Sequence, residues 1–373
     1  MEENENIINE EKPVKKKKIW MRVVLIIVCI VLLLILGIMI VANHYLGMIR
    51  RVKPSDVSVI PPEAWESMID DDTDFSDETD DFDDTEIFDT EDPDDTAEDT
   101  EPDDTETTAK PLEPKDDGCL VEPIKDEGLI NILLVGQDGY NYKPNVRSRT
   151  DSMILISINP KTGKISMISF LRDTFVTIPG GYTSNRLNVP FVIGGFPLLY
   201  ETFYVNFGIH IDYGFGVNFQ GFEKIIDILG GIDIELTEAE THHVSKTVPG
   251  MNTLNGAQAL SYARIRHVDS DFGRTNRQRK VLMTVYNKIK GSSLSKLNEL
   301  LKEILPLMFT DMSDMDIYSL VFNLYKFFGN DIDTYYIPAK KTYSQARVGK
   351  KSVIMPNLEK INTILREEYL PLN

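Results

Sequence analysis

The chain has 373 residues, with 59 Asp and Glu against 39 Lys and Arg and a formal net charge of −20. That acidity is local: residues 54 to 109 hold 25 Asp and Glu and no Lys or Arg, so the remainder is net positive. The two cysteines, Cys29 and Cys119, fall in different segments, which excludes a disulfide within the C-terminal domain and leaves it to stand on packing alone.

Lys15, Lys16, Lys17, Lys18 and Arg22 precede an uncharged run from Val23 to Ala42, long enough as a helix to cross the roughly 30 Å hydrocarbon layer of a bilayer. The run is too long for a cleaved signal peptide, and Val41-Ala42-Asn43-His44 is a poor cut site. More basic residues lie before it than after it (Arg50, Arg51, Lys53), which puts the N-terminus in the cytoplasm and the rest outside. The expected organisation is a short cytoplasmic N-terminus (1–22), a single transmembrane signal-anchor helix (23–42), an extracellular acidic disordered linker (43–124) and an extracellular domain (125–373). Asp-Asp-Thr and Glu-Asp-Thr phrases lack the apolar side chains needed to offset ordering entropy. The glycines of an ordered calcium loop are missing from residues 54 to 109, so a solvated spacer is the expectation there.

Leu129 to Val135 is an apolar burst that reads as a buried strand, with Asp138 just past its carboxyl end. Ser152–Ile158 and Ile165–Leu171 read as two strands joined by Asn159-Pro-Lys-Thr-Gly163, a turn with hairpin chemistry. An antiparallel hairpin brings Asp151 and Arg172 to one edge, with Asp138 on the same rim. Helices are expected at Pro197–Phe207 and Phe219–Leu229, a strand at Ile232–Leu236, and a short helix at Ala257–Ala263. A helix from near Arg274 would carry Arg274, Arg277, Gln278 and Val281 on one face, after a capping turn at Asp271-Phe-Gly273. Arg264 and Arg266 face one way only if that stretch is extended. Covering helices near Leu297–Leu307, Asp316–Phe328 and Met355–Tyr369 complete an α/β or mixed α+β class, with a central mixed sheet covered by helices on both sides. A cluster of guanidiniums between Ala263 and Lys280 suits bidentate capture of phosphate oxygens.

Asn131-Ile-Leu-Leu-Val-Gly-Gln-Asp138, Arg149-Thr-Asp151, Ser157-Ile-Asn-Pro160, Arg172-Asp-Thr174, Gly194-Gly195, Ile211-Asp-Tyr213, Gly230-Gly231 and Ala259 through Gln278 together resemble the LytR-CpsA-Psr family. The resemblance runs in order from about Leu129 to Lys280. It implies a bacterial cell-surface phosphotransferase, in a Gram-positive type of envelope. The enzyme takes an anionic glycopolymer such as teichoic acid or capsule from an undecaprenyl-pyrophosphate carrier, joins it to peptidoglycan through a phosphodiester and releases undecaprenyl phosphate. A pyrophosphatase side activity is compatible with that chemistry. Asp138 and Asp151 match the carboxylates that hold a magnesium ion (Mg2+). Asp151, Arg172, Arg264, Arg266 and Arg274 are the catalytic candidates the resemblance implies; Arg172, Arg264, Arg266 and Arg274 match its phosphate-binding arginines, joined by Arg149 and Gln278, and Asp271 matches a neighbouring site position. Asp151, a water and the substrate's own phosphate are the open choices for the general base.

Phe191, Phe196, Leu199 and Phe203 are the weaker candidates for a lipid pocket, against ordinary core. For Arg277, Arg279 and Lys280 a solvated helix face is expected, for His267 support of the arginines, and for the adjacent His242 and His243 a surface position rather than a metal site. Two departures from the family pattern stand out: Gly139-Tyr140 follow Asp138 where an arginine is usual, and Arg186-Leu187-Asn188 replaces a lysine-led phrase. The rival class is a non-catalytic envelope sensor of lipid-linked precursors. A nucleic-acid binder lacks both a helix-turn-helix pattern and an aromatic platform.

Overall fold

The computed structural model describes residues 44–52, 59–69, 118–125, 128–137, 148–266, 268–269, 271–290, 294–324, 327, 329–349 and 351–372. Asp138, His267, the uncharged run 23–42 and most of the acidic stretch lie outside them. Among the described residues no helix is long and apolar enough to cross a membrane. In chain order the elements are β1 (Arg50–Arg51), α1 (Pro62–Ile69), β2 (Ile130–Gln137), β3 (Thr150–Ile158), β4 (Ile165–Phe170), β5 (Phe175–Val176), β6 (Asn185–Arg186), α2 (Pro190–Phe207), β7 (Tyr213–Asn218) and α3 (Phe219–Ile228). There follow β8 (Ile232–Leu236), α4 (Glu238–Thr241), β9 (Gly250–Leu254), α5 (Gly256–Arg264), α6 (Asp271–Lys290), α7 (Leu294–Ile304), β10 (Met308–Thr310), α8 (Asp314–Leu324), β11 (Ile332–Ile337), β12 (Tyr343–Val348), β13 (Lys351–Pro356) and α9 (Leu358–Ile364).

Seven strands form one mixed sheet in the order β1-β10-β7-β2-β3-β4-β11. The β2–β3 and β3–β4 pairs are antiparallel, as the Asn159–Gly163 turn predicts, while β2–β7 and β4–β11 are parallel. Alternation along the strands sorts side chains onto two faces. Leu133, Val135, Met153, Leu155, Ile168 and Phe170 face α2 and α9, where Phe196, Leu199, Phe203, Phe207 and Ile361 complete the larger core. Ile132, Leu134, Ile156 and Ile158 face the other way, toward Phe215, Leu320 and Phe327. Helices therefore cover both sides of a central mixed sheet.

Phe191, Phe196, Leu199 and Phe203 belong to the first of these cores, and each is at most 3% exposed. The three phenylalanines make ring contacts with one another and with Phe170 and Phe309, so all four are core side chains, and none lines the cavity at the candidate site. Their helix starts earlier than expected, at Pro190, and bends at Gly195, whose φ of 63° suits glycine alone. The turn expected at Asp271–Gly273 is the first turn of α6 itself, and Met355 lies in a strand, not in the C-terminal helix.

The linker expectation of 43–124 also changes at its ends. Arg50 and Arg51 pair in parallel with Phe309 and Thr310 on β10. α1, inside the acidic stretch, sets Trp65 beside Ile178, Val189 and Ile193, and Cys119, Leu120 and Val121 are buried in the main core. These residues carry the apolar side chains that the Asp- and Thr-rich phrases lack.

Candidate active site

A fault in the sheet aims the first functional side chain. Gly136 faces Ser152 but Gln137 faces Thr150, so Asp151 is the extra residue of a β-bulge. A bulge breaks the strict alternation of faces. Asp151 thereby joins Ser152 and Ile154 on the cavity side instead of following Met153 into the core. At the far end of the hairpin Arg172 Nη1 donates to Asp151 Oδ1 at 2.7 Å, with both side chains about 15% exposed or less. The structure thus bears out the edge contact that the hairpin predicts.

Behind Arg172 lies a carboxylate that sequence reasoning had not singled out. Asp173 accepts from Arg172 Nε at 3.2 Å and from Arg186 Nη1 at 3.1 Å, and Arg274 Nη2 stands 3.7 Å away. Burial pushes its carboxyl up, but Arg172, Arg186 and Arg274 outweigh that and hold it below the ordinary carboxylate range. One buried acid therefore sets the spacing of three guanidiniums. The signal available in the sequence was an acid adjacent to Arg172 in an arginine-rich context.

Arg264 and Arg266 come from the other side of the site. α5 starts with a capping box, Asn255 accepting from Gln258 N while Gln258 Oε1 accepts from Asn255 N. Its end is extended, with Ile265 at φ −54° and ψ 128°, which is the condition for Arg264 and Arg266 to share a direction. Arg264 stacks over Phe219 with its guanidinium carbon 4.7 Å from the ring centroid. Arg277 is 4% exposed rather than a solvated position. It bonds Asp269 through both terminal nitrogens at 2.8 Å and donates to Ile265 O, tying the α5–α6 connection together. Arg279 donates to Tyr335 O and Lys280 to Glu235 O, so both brace neighbouring strands.

Some of these groups, though not Asp173, Arg186, Arg277, Arg279 or Lys280, line the polar end, or mouth, of a cavity of about 330 Å³. Asp151, Arg172, Arg264, Arg266, Arg274 and Gln278 line the mouth; Leu134, Phe215, Val281, Val285, Ile289 and Ile304 line its apolar length. Of the expected residues, Arg149 is half-buried just before β3 and is not in the lining. Asp271 opens α6, its side chain outside the description, and Asp138 lies outside altogether. His242 and His243 are exposed. Among the described residues no group of three or more His, Cys, Asp or Glu could hold a metal. Asp151 Oδ1 is engaged by Arg172, and its second oxygen suits a hard cation that completes its shell with water and phosphate oxygens.

A mixed α/β fold with guanidiniums at one end of a mostly apolar cavity belongs to the class of proteins with a concave, apolar binding site and a few placed polar groups. The chain belongs to the LytR_cpsA_psr family, whose family model matches residues 90–367. It is 35% identical over 193 residues to the Bacillus licheniformis polyisoprenyl-teichoic acid–peptidoglycan teichoic acid transferase TagU, covering 50% of this chain and 62% of that one. It is 36% identical over 167 residues to the regulatory protein MsrR of Staphylococcus aureus, covering 44% and 50%. The chain thus spans less than two thirds of either relative. Among solved structures, the Streptococcus agalactiae protein gbs0355 superimposes with a TM-score of 0.55 at 29% identity, covering 65% of this chain and 88% of that one. TagV of B. subtilis superimposes at 0.51 with 27% identity, covering 65% and 98%.

Proposed function

We propose that this protein is a membrane-anchored phosphotransferase that moves an anionic glycopolymer from an undecaprenyl-pyrophosphate carrier to peptidoglycan. The observation that carries the reading is the joining of an apolar cavity to a mouth of four arginines, Asp151 and Gln278. The prenyl chain needs the first and the diphosphate the second. The TagU relatives, named as teichoic acid transferases, support the cargo class. The run 23–42 serves as the single-pass anchor, with the N-terminus cytoplasmic and the domain extracellular.

In this reading a peptidoglycan hydroxyl attacks the sugar-linked phosphorus in line with the departing oxygen. A phosphorus–oxygen bond forms to the acceptor, the anhydride bond breaks, and the hydroxyl proton is lost as undecaprenyl phosphate leaves. Arg172, Arg266 and Arg274 neutralise charge that grows on the non-bridging and leaving oxygens. Arg264, fixed over Phe219, orients the head group. Asp151 and Asp138 would hold Mg2+, which supplies further charge neutralisation at the diphosphate. Asp151, set beside Arg172, is also placed to take the proton.

The test is release of undecaprenyl phosphate from lipid-linked polymer by the purified full chain, in step with polymer joined to peptidoglycan. Loss of both in Arg266→Ala is expected. The name MsrR carries favours a second reading, a sensor binding the same head group without turnover. Tight binding of prenyl pyrophosphate with no release of undecaprenyl phosphate would select it.

A further inference from the structure

Residues 44–52, which follow one residue after the uncharged run 23–42, are fastened to the domain by several independent contacts. Arg50 and Arg51 pair with Phe309 and Thr310, and Val52 N donates to Thr310 O at 2.8 Å. Arg51 Nη2 reaches Asp314 Oδ1 at 2.5 Å and Leu46 O at 3.2 Å. Leu46 and Ile49, each 7% exposed, pack with Met312 and Ile317. Lys302 Nζ lies 6.0 Å from the centroid of the Tyr45 ring.

These contacts fall between Lys302 and Ile317, and the first part of that stretch also supplies Ile304 and Met308 to the cavity. Along α6 the lining runs from Arg274 and Gln278 at the mouth through Val281 and Val285 to Ile289. That progression covers roughly 20 Å from Arg274 at the helical rise. Ile289, Ile304 and Met308 pack together, so they mark the apolar end farthest from the arginines. The place where the chain leaves the uncharged run therefore adjoins that end. The acidic stretch begins only after Val52, so in the chain it does not separate the uncharged run from residues 44–52.

We propose that residues 44–52 are a docking clamp that fixes the apolar end of the cavity against the bilayer surface, so that a prenyl chain passes from the leaflet into the cavity beside the protein's own anchor. The inference rests on the anchor and lipid-substrate reading above. A clamp fixes the orientation of the domain, whereas a tether would scatter it.

Two measurements on the full chain test it, in vesicles of phosphatidylcholine and phosphatidylglycerol and a Cys29→Ser background, Cys119 being buried. A bimane label at Glu303→Cys, on α7, should be quenched by shallow spin-labelled lipid at least about 3-fold more than one at Asp333→Cys. The latter lies on β11, at the opposite edge of the seven-stranded sheet from β1, about 29 Å away at the usual strand spacing. Equal quenching, or more at Asp333→Cys, overturns the clamp. In the second, Arg51→Glu should lower turnover of vesicle-embedded undecaprenyl substrate about 10-fold, leave a water-soluble short-prenyl analogue unchanged, and be restored by adding Asp314→Arg. An unchanged ratio of the two substrates, or an equal loss of both that the double variant does not restore, overturns it. Wild-type protein that turns over neither substrate removes the transferase reading, and the quenching result still decides the clamp. Protein that fails to float with the vesicles removes the anchor and the clamp together.

Discussion

Asp151 and Arg172, 21 residues apart, meet through a 2.7 Å hydrogen bond because a bulge turns one and a hairpin returns the other. The pair is only about 15% exposed, so each charge depends on the other for much of its solvation. In the proposed reaction a diphosphate oxygen would replace Asp151 as the partner of Arg172 and free the carboxylate for a cation or a proton. Asp151→Asn keeps the hydrogen bond and removes the charge. Turnover should fall by about 100-fold or more; unchanged prenyl-pyrophosphate affinity then assigns Asp151 the role of general base, and a parallel loss of Mg2+-dependent affinity the role of metal ligand. Undecaprenyl phosphate release measured alongside binding separates the two quantities, and wild-type turnover in the variant would remove Asp151 from the chemistry.

Asp173 supports the site from behind. Replacing it with Asn leaves Arg172, Arg186 and Arg274 facing one another without the anion that spaces them. Breaking a buried ion pair by deleting one partner costs about 3 kcal/mol. The wild-type carboxyl is held below its ordinary value of 3.8, so its contribution is fully present above that pH and fades as pH falls through the depressed value. The melting temperature of Asp173→Asn should therefore lie well below wild type at pH 7 and converge with it in acid. A gap that persists unchanged in acid would show that the carboxylate charge is not what matters.

Val285 projects into the apolar length of the cavity from α6. Val285→Trp should fill that space, weaken binding of a long prenyl chain and spare a short one, with a stability cost of about 1–3 kcal/mol from overpacking. Titration with prenyl pyrophosphates of increasing length checks this. Equal affinity at every length would mean that the chain binds elsewhere.

The features of the site differ in how far local chemistry determines them. The β3–β4 hairpin was legible because apolar alternation and the Asn159–Gly163 turn agree, and it carried the meeting of Asp151 with Arg172. The strand β7 was not. Its Gly214 and Gly216 weaken any strand signal, yet they are required because a Cβ at either would collide with Phe196 and Tyr200 or with Phe309. Apolar composition marked Phe191 to Phe203 as buried but held nothing about which face of the sheet they would meet. The real cavity uses scattered side chains of α3, α5, α6 and α7, joined only by tertiary packing. Arg277 shares a helix turn with Arg274 yet faces Asp269, a partner that the sequence places before the helix begins. The bulge at Asp151 arises from the pairing of two strands, and neither strand's sequence displays it.

Gly256 connects these scattered pieces. It follows the cap Asn255, donates its N–H to Asp227 Oδ1 at 2.7 Å, and lies so close to α3 that a Cβ would strike the Glu223 carbonyl. The obstacle is backbone, so α5 itself must move. Arg264 ends that helix and rests on Phe219, the first residue of α3, so separating the two helices shifts a guanidinium at the mouth. Gly256→Ala is thus expected to lower stability by about 1–3 kcal/mol and to reduce turnover beyond what the unfolded fraction explains. Asn255→Ala removes the cap alone, and it should cost about 1 kcal/mol with turnover per folded molecule preserved. Denaturant unfolding and turnover measured on both variants distinguish close approach from helix stability; equal turnover per folded molecule would show that the α3–α5 contact serves the fold and not the site.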